Sequence, residues 1–320
     1  MLENWYSSKR LEIFFKLHTI GEMKKYFTSV SKTYLKSFIK HINKTIKSFV
    51  VDETMGDRMK RYESTTTDIE LERNLPVYVR LDMRAGHSFC RGLDKPFDDD
   101  YSFAMKEATK YMVDKTGAIL GYTQSDEISL VYENCTKMPF ETRLFKLQSV
   151  FASMATGAFI INGLKTKLKD RIESKTPSFD CRVMNLPSMK EAANMILWRS
   201  MDSVKNSITL VALEHFSNKE IHKKNGNEKI QMLKEKGVDY FSFPEGYRYG
   251  FFFRRVVYPK ILSNAEIEKI PEKNRPPINE NGECVVLRSK IDEFQINNHS
   301  NLIDSKTRED FLFKKCSKIT

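Results

Sequence analysis

The stretch Gly121-Tyr-Thr-Gln-Ser-Asp-Glu-Ile-Ser-Leu-Val-Tyr132 places the polar turn Ser125-Asp126-Glu127 between two apolar, β-rich runs. Such runs read as paired strands. An acid at a strand end is by itself a common turn former. Two acids interrupting buried strands suggest more, because upstream Val77-Tyr-Val-Arg-Leu-Asp82 is another strand that closes on a carboxylate. Strands ending in acids can hold two magnesium ions over a phosphate, the usual centre of nucleotidyl transfer.

Working outward, Pro76 sits at a strand entry, where its missing N–H costs least. A long charged loop, Arg84 to Asp100, carries Gly86, Gly92 and Pro96. Met105, Ala108, Tyr111 and Met112 then repeat at helical spacing over 101–115, with Gly117 as the stop. Strands are predicted at 119–124 and 128–133. A helix follows over 142–163, its stripe formed by Leu144, Leu147, Phe151, Met154, Ala155, Ala158 and Phe159. A fourth strand over 179–186 is stopped by Pro187, and a long helix spans 189–216. The order is the split βαββαβ pattern. The fold class is therefore α+β, a ferredoxin-like domain of the kind used by polymerase palms and nucleotide cyclases. In that topology the first strand lies beside the strand of the Ser-Asp-Glu turn, so Asp82 and Asp126 converge on one sheet edge.

The expected organisation is a basic N-terminal extension over 1–54 and a catalytic domain over 55–217. A Lys-rich loop and helix with a closing strand at 247–257 fill 218–260, and 261–320 is a charged appendage. The 320 residues carry 53 Lys and Arg against 42 Asp and Glu, a net charge of +11, with 40% hydrophobic residues. That is enough apolar content for a core, and the basic balance favours a polyanion such as nucleic acid, or else reflects Lys-rich composition alone. No apolar run approaching the ~20 residues of a membrane span is expected. Cys90, Cys135, Cys181, Cys284 and Cys316 form no Cys-x-x-Cys pair, which argues against a zinc ribbon and a disulfide framework. A reducing, cytoplasmic compartment is the expectation. Residues 1–54 lack a secretory signal, and Glu3, Glu12 and Glu22 weaken a mitochondrial presequence without excluding it.

An ordered set of motifs carries a resemblance. Val79-Arg-Leu-Asp-Met-Arg84, His87-Ser-Phe89, Lys95-Pro96, Gln124-Ser-Asp-Glu-Ile-Ser129 and Trp198-Arg-Ser-Met-Asp-Ser-Val-Lys-Asn206 resemble the tRNA-His guanylyltransferase family and its tRNA 5′-end repair relatives. The likeness runs from about Arg58 to Val257. It implies a reverse polymerase that activates a tRNA 5′-monophosphate with ATP. The 3′-hydroxyl of a nucleotide, typically GTP, then attacks that activated end. Both steps are in-line transfers governed by positioning and charge.

Carried over, the resemblance implies that Asp82 and Asp126 bridge two Mg2+ ions, with the Met83 carbonyl completing a shell and Glu127 assisting. Arg84, Ala85, Gly86, His87 and Ser125 would cradle the triphosphate, helped by Arg143 and Lys146 on one helix face. Lys95 would serve the activation step, and Asn206 and Lys219 would touch tRNA. A homo-tetramer is the usual family assembly. Two departures stand out: Met83 replaces a family Gly, and Gly86 replaces a base-packing aromatic residue. An aromatic side chain restored at Gly86 is therefore expected to tighten nucleotide binding. The dedicated tRNA-His enzymes' His-Ile-Asn-Asn-Leu-Tyr-Asn run is replaced by Asp202-Ser-Val-Lys-Asn-Ser-Ile208, which points to the repair-type branch. Competing readings are a degenerate, non-catalytic RNA-binding relative and, last, a cyclase or forward polymerase.

Overall fold

The computed structural model describes residues 54–140, 142–304 and 307–313. The chain divides into two compact units, Met1–Asp68 and Ile69–Thr320. The described part of the first is helix α1 (Met55–Thr67), capped by the Thr54 hydroxyl on the Asp57 N–H at 3.2 Å. The expected extension over 1–54 lies, except for Thr54, outside the described residues.

The second unit is built on one antiparallel sheet of six strands in the order β4-β1-β3-β2-β5-β6. These are β1 (Val77–Met83), β2 (Leu120–Gln124), β3 (Glu127–Tyr132), β4 (Phe179–Asn185), β5 (Phe251–Ile261) and β6 (Val285–Phe294). The first four follow the ferredoxin-like order. Helices α2 (Gly86–Cys90), α3 (Asp99–Thr116), α4 (Leu144–Gly163) and α5 (Lys169–Lys175) fall between them in sequence. After β4 come α6 (Met189–Leu213), α7 (Asn218–Ile221), α8 (Gly226–Glu235) and α9 (Glu245–Tyr249).

Helices α3 and α4 cover one sheet face. Met105, Ala108, Met112, Leu147, Phe151, Ala155 and Phe159 are buried there against Val77, Val79, Leu81, Ile128 and Leu130. Each large side chain so buried contributes roughly 2–3 kcal/mol. Tyr111, expected in the α3 stripe, is instead 40% exposed, because the buried stripe runs through Ala104, Met105, Ala108, Thr109, Met112, Val113 and Thr116 and Tyr111 falls beside it. Helix α6 covers the other face, with Ala192, Ala193 and Ile196 on Tyr78, Tyr122 and Val131. Both faces of β3 are therefore buried along its whole length. That is why its sequence is apolar without alternation.

Three expectations are corrected. Residues 247–249 form the end of a short helix, since Pro244 caps α9 and Gly250, at φ 89°, turns the chain into β5. Part of the stretch expected as an appendage is a strand of the main sheet: β6 pairs with β5 from Val285↔Ile261 to Phe294↔Phe252. Charge on an edge strand hides it from an apolar-run reading. Finally, α4 is long and apolar enough to cross a membrane by composition, yet Leu147, Phe151, Ala155, Ala158 and Phe159 belong to the core.

Candidate active site

Antiparallel register places Asp180, Asp82 and Glu127 side by side across β4, β1 and β3. Cross-strand partners share a face, so three carboxylates form one row at the sheet end. Asp126 stands just before β3, in a two-residue hairpin loop with Ser125 in the left-handed region at φ 50°. The Met83 N–H donates to the Asp126 carbonyl at 3.0 Å, which ties the backbone beside Asp82 to Asp126.

The two members of the acidic turn differ in their partners. Arg80, two residues before Asp82 and on its face, donates to Asp82 Oδ2 at 3.0 Å and also grips Glu127 Oε1. Arg199 of α6 holds the other Glu127 oxygen at 2.7 Å and Asp202 at 2.9 Å. Gln124 donates to Glu127 as well, at 3.2 Å. Both Glu127 oxygens are thus engaged, and this side chain fixes α6 to the sheet end. By contrast, among the described residues no ion pair reaches Asp126 within 4.0 Å. Burial lifts its carboxyl above the ordinary carboxylate value of 3.8, and the Asp82 charge pushes the same way, against the Ser125 hydroxyl.

A half-buried carboxylate beside a second one, itself in no ion pair among the described residues, is the donor set of a hard divalent ion. Among the described residues no group of three or more His, Cys, Asp or Glu side chains could hold a metal. Two carboxylates suit Mg2+, which keeps several waters and shares phosphate oxygens. The residues present fit such an ion.

A cleft of about 290 Å3 opens from Asp126 between α3 and α6. Gly86, His87, Lys95, Ser125 and Asn206, all singled out by sequence, line it together with Phe97, Ser203 and Tyr247. Lys95 Nζ lies 3.6 Å from Glu214, and the Lys95–Pro96 peptide is cis. Phe97 and Tyr247 stack 4.6 Å apart at 9°. Cys90 also borders the cleft, and burial pushes its thiol up to about 11, so it is neutral and inert there.

Met83 is a strand residue whose side chain is in the core, near the Tyr101 hydroxyl. The left-handed position of this loop is Ala85, at φ 56°. The change from glycine at Met83 therefore carries no backbone strain; the strain sits two residues later. Arg84 and Ala85 are exposed, and the Arg84 N–H bonds the Ser178 carbonyl at 2.8 Å. Arg143 and Lys146 are not brought to the cleft. They begin α4, where Leu144 bonds Ile69 and Thr142 accepts from Leu71, at the Val77 end of β1. From Val77 to Asp82 is five strand steps, about 17 Å, so that end lies far from the acids. Lys219 is exposed on α7 and lies outside the cleft lining.

Arg80 and Arg199 were not singled out by the motif reading. Arg80 was findable, since i and i+2 on a strand share a face; Arg199 on a helix was not. Removing one partner of a buried ion pair costs about 3–5 kcal/mol. Arg199→Met should accordingly lower the urea midpoint of unfolding by about 3 kcal/mol equivalent, at the low end because Arg80 remains on Glu127. A loss under ~1 kcal/mol would mean the clamp behaves as a surface pair.

Fold and site together define a palm-type nucleotidyltransferase. The family model described as tRNAHis guanylyltransferase matches residues 56–187. The tRNA(His) guanylyltransferase of Schizosaccharomyces pombe is 30% identical over 212 residues, covering 61% of this chain and 80% of that protein. Among solved structures, a bacterial tRNA(His) guanylyltransferase-like protein in complex with ATP aligns at TM-score 0.57 and 34% identity, over 63% of this chain and 87% of its own. One in complex with GTP aligns at 0.56 and 30%, over 82% of this chain and 100% of its own. The chain belongs to the tRNAHis guanylyltransferase family, and it is a nucleotidyltransferase.

Proposed function

We propose that this enzyme adds a nucleotide, GMP foremost, to the 5′ end of tRNA in the 3′-to-5′ direction, after activation of that end by ATP. The observation that carries the reading is Asp126, which lines a cleft together with Lys95 and feels the charge of Asp82 beside it. Similar proteins solved with ATP and with GTP support the nucleotide class. Asp82 and Asp126 would hold Mg2+, two ions in the full reading, which when bound supplies charge neutralisation at the reacting phosphates. Lys95 borders the cleft, its ammonium beside Glu214, as a cation for phosphate oxygens. Ser125 and the Gly86–His87 main chain border the same space. Arg80 keeps Asp82 oriented, and Glu127 acts by holding Arg80 and Arg199 rather than as a ligand.

The altered α6 motif supports the repair-type branch. Asp202 is spent on Arg199, and Asn206 lines the cleft, so this stretch serves the catalytic cleft rather than a separate anticodon reader. Incubation with labelled GTP, ATP, Mg2+ and 5′-monophosphorylated tRNAs, full-length and lacking their first nucleotide, tests both levels. Label should enter truncated tRNAs of several identities. Addition to full-length tRNA-His alone removes the repair assignment, and no magnesium-dependent label in any tRNA removes the enzymatic one.

A further inference from the structure

Trp198 is 51% exposed. The Arg199 guanidinium lies 4.5 Å from the centre of its ring, and that guanidinium is itself pinned to Glu127 and Asp202. A lone exposed aromatic residue needs no explanation. This one is joined through a single arginine to the row Asp180–Asp82–Glu127, and half of its surface is open to solvent. A preset ring loses little entropy when a planar group stacks on it.

The cleft side of α6 carries Ser203, Asn206 and Ser207, while Trp198 and Asp202 stand one turn apart and flank Arg199. An incoming nucleotide in the cleft leaves the acceptor strand to reach the acids from another direction. In the next sheet row Arg80 is paired with Arg182, whose exposed guanidinium lies 3.7 Å from Asp180, so two arginines stand among the carboxylates.

We infer that the exposed ring of Trp198 is the stacking platform for the terminal base of the RNA whose 5′ phosphate is brought to Asp82 and Asp126. The inference rests on the proposed function. Base–aromatic stacking contributes about 1–3 kcal/mol per base, roughly a 5- to 150-fold effect on affinity. Any base can stack, so the platform suits an enzyme acting on RNA ends of differing sequence.

Trp5 and Trp198 are the two tryptophans of the chain. In the full-length Trp5→Phe protein, Trp198 is the sole indole reporter. Titration with a 5′-monophosphorylated acceptor-stem hairpin RNA, in Mg2+ and without free nucleotide, should quench its fluorescence. Trp198→Leu should raise KM for that hairpin about 10- to 100-fold, leave KM for GTP within about twofold, and be largely rescued by Trp198→Phe. Three results overturn the inference: unchanged fluorescence at saturating hairpin, an unchanged hairpin KM in Trp198→Leu, or equal rises in both KM values, which would show that the ring acts only by propping Arg199. A wild-type protein that neither binds the hairpin nor extends any tRNA overturns the enzymatic reading as well. One that extends tRNA with Trp198 silent overturns the platform alone.

Discussion

Asp126→Asn is expected to reduce nucleotide addition by more than about 100-fold, the upper end for losing even an outer-shell partner of a metal, while making the metal-free protein more stable. The carboxyl is half-buried, lies near the Asp82 charge, and has no ion pair among the described residues. Its folded-state pKa is raised, so at neutral pH its ionised form opposes folding. That penalty is complete above the raised value and fades as pH falls toward the ordinary 3.8. The amide keeps the shape and drops the charge. Differential scanning calorimetry in chelator should show a melting temperature higher by about 2–4 °C, what ~1 kcal/mol gives for a domain of this size. The advantage should shrink on acidification. Added Mg2+ should raise the melting temperature of the wild type and leave the variant unmoved. A variant less stable than wild type in chelator, or one still stabilised by Mg2+, would remove Asp126 from the metal site.

Gly86→Ala should likewise cost about 100-fold in activity, the penalty for a misplacement of about 1 Å at a reacting centre. A Cβ at this position would lie 1.9 Å from Asp126 Oδ2 and 2.7 Å from its Cγ. Only the side chain of Asp126 can yield, so the fold should survive and the metal ligand should move. This reverses the expectation that an aromatic residue at Gly86 tightens nucleotide binding: any side chain here competes with the acid before it meets a base. Circular dichroism should match wild type, and nucleotide addition together with Mg2+-induced thermal stabilisation should both fall. Wild-type activity in Gly86→Ala would show that Asp126 has room to spare.

Much of this architecture was legible in local pattern. The split pattern emerged because each strand entry or stop has a cause in the chain, as at Pro76, Gly117 and Pro187, and because α3 and α4 bury regular stripes. The acids were legible because a polar turn between two buried strands contradicts its surroundings. What escaped reading was non-local. Strand β6 is defined by its pairing with β5, some thirty residues back in the chain, and not by its own composition. The pairing of Glu127 with Arg199 spans the whole of β3 to α6, so nothing nearby in sequence marks it. Arg143 and Lys146 were placed at the phosphates by likeness of motif, and the antiparallel course of α4 puts them at the far sheet end. The strained backbone sits at Ala85 and Ser125, both residue types that favour no left-handed conformation, so sequence gave no warning of either.

The most direct test is anomalous scattering from crystals of the protein with Mn2+ and a non-hydrolysable GTP analogue. The account predicts metal density within about 2.2 Å of carboxylate oxygens of both Asp82 and Asp126, with Glu127 still held by Arg80 and Arg199. Metal bound through Glu127 instead, or nucleotide in the cleft with no metal at either aspartate, would contradict it.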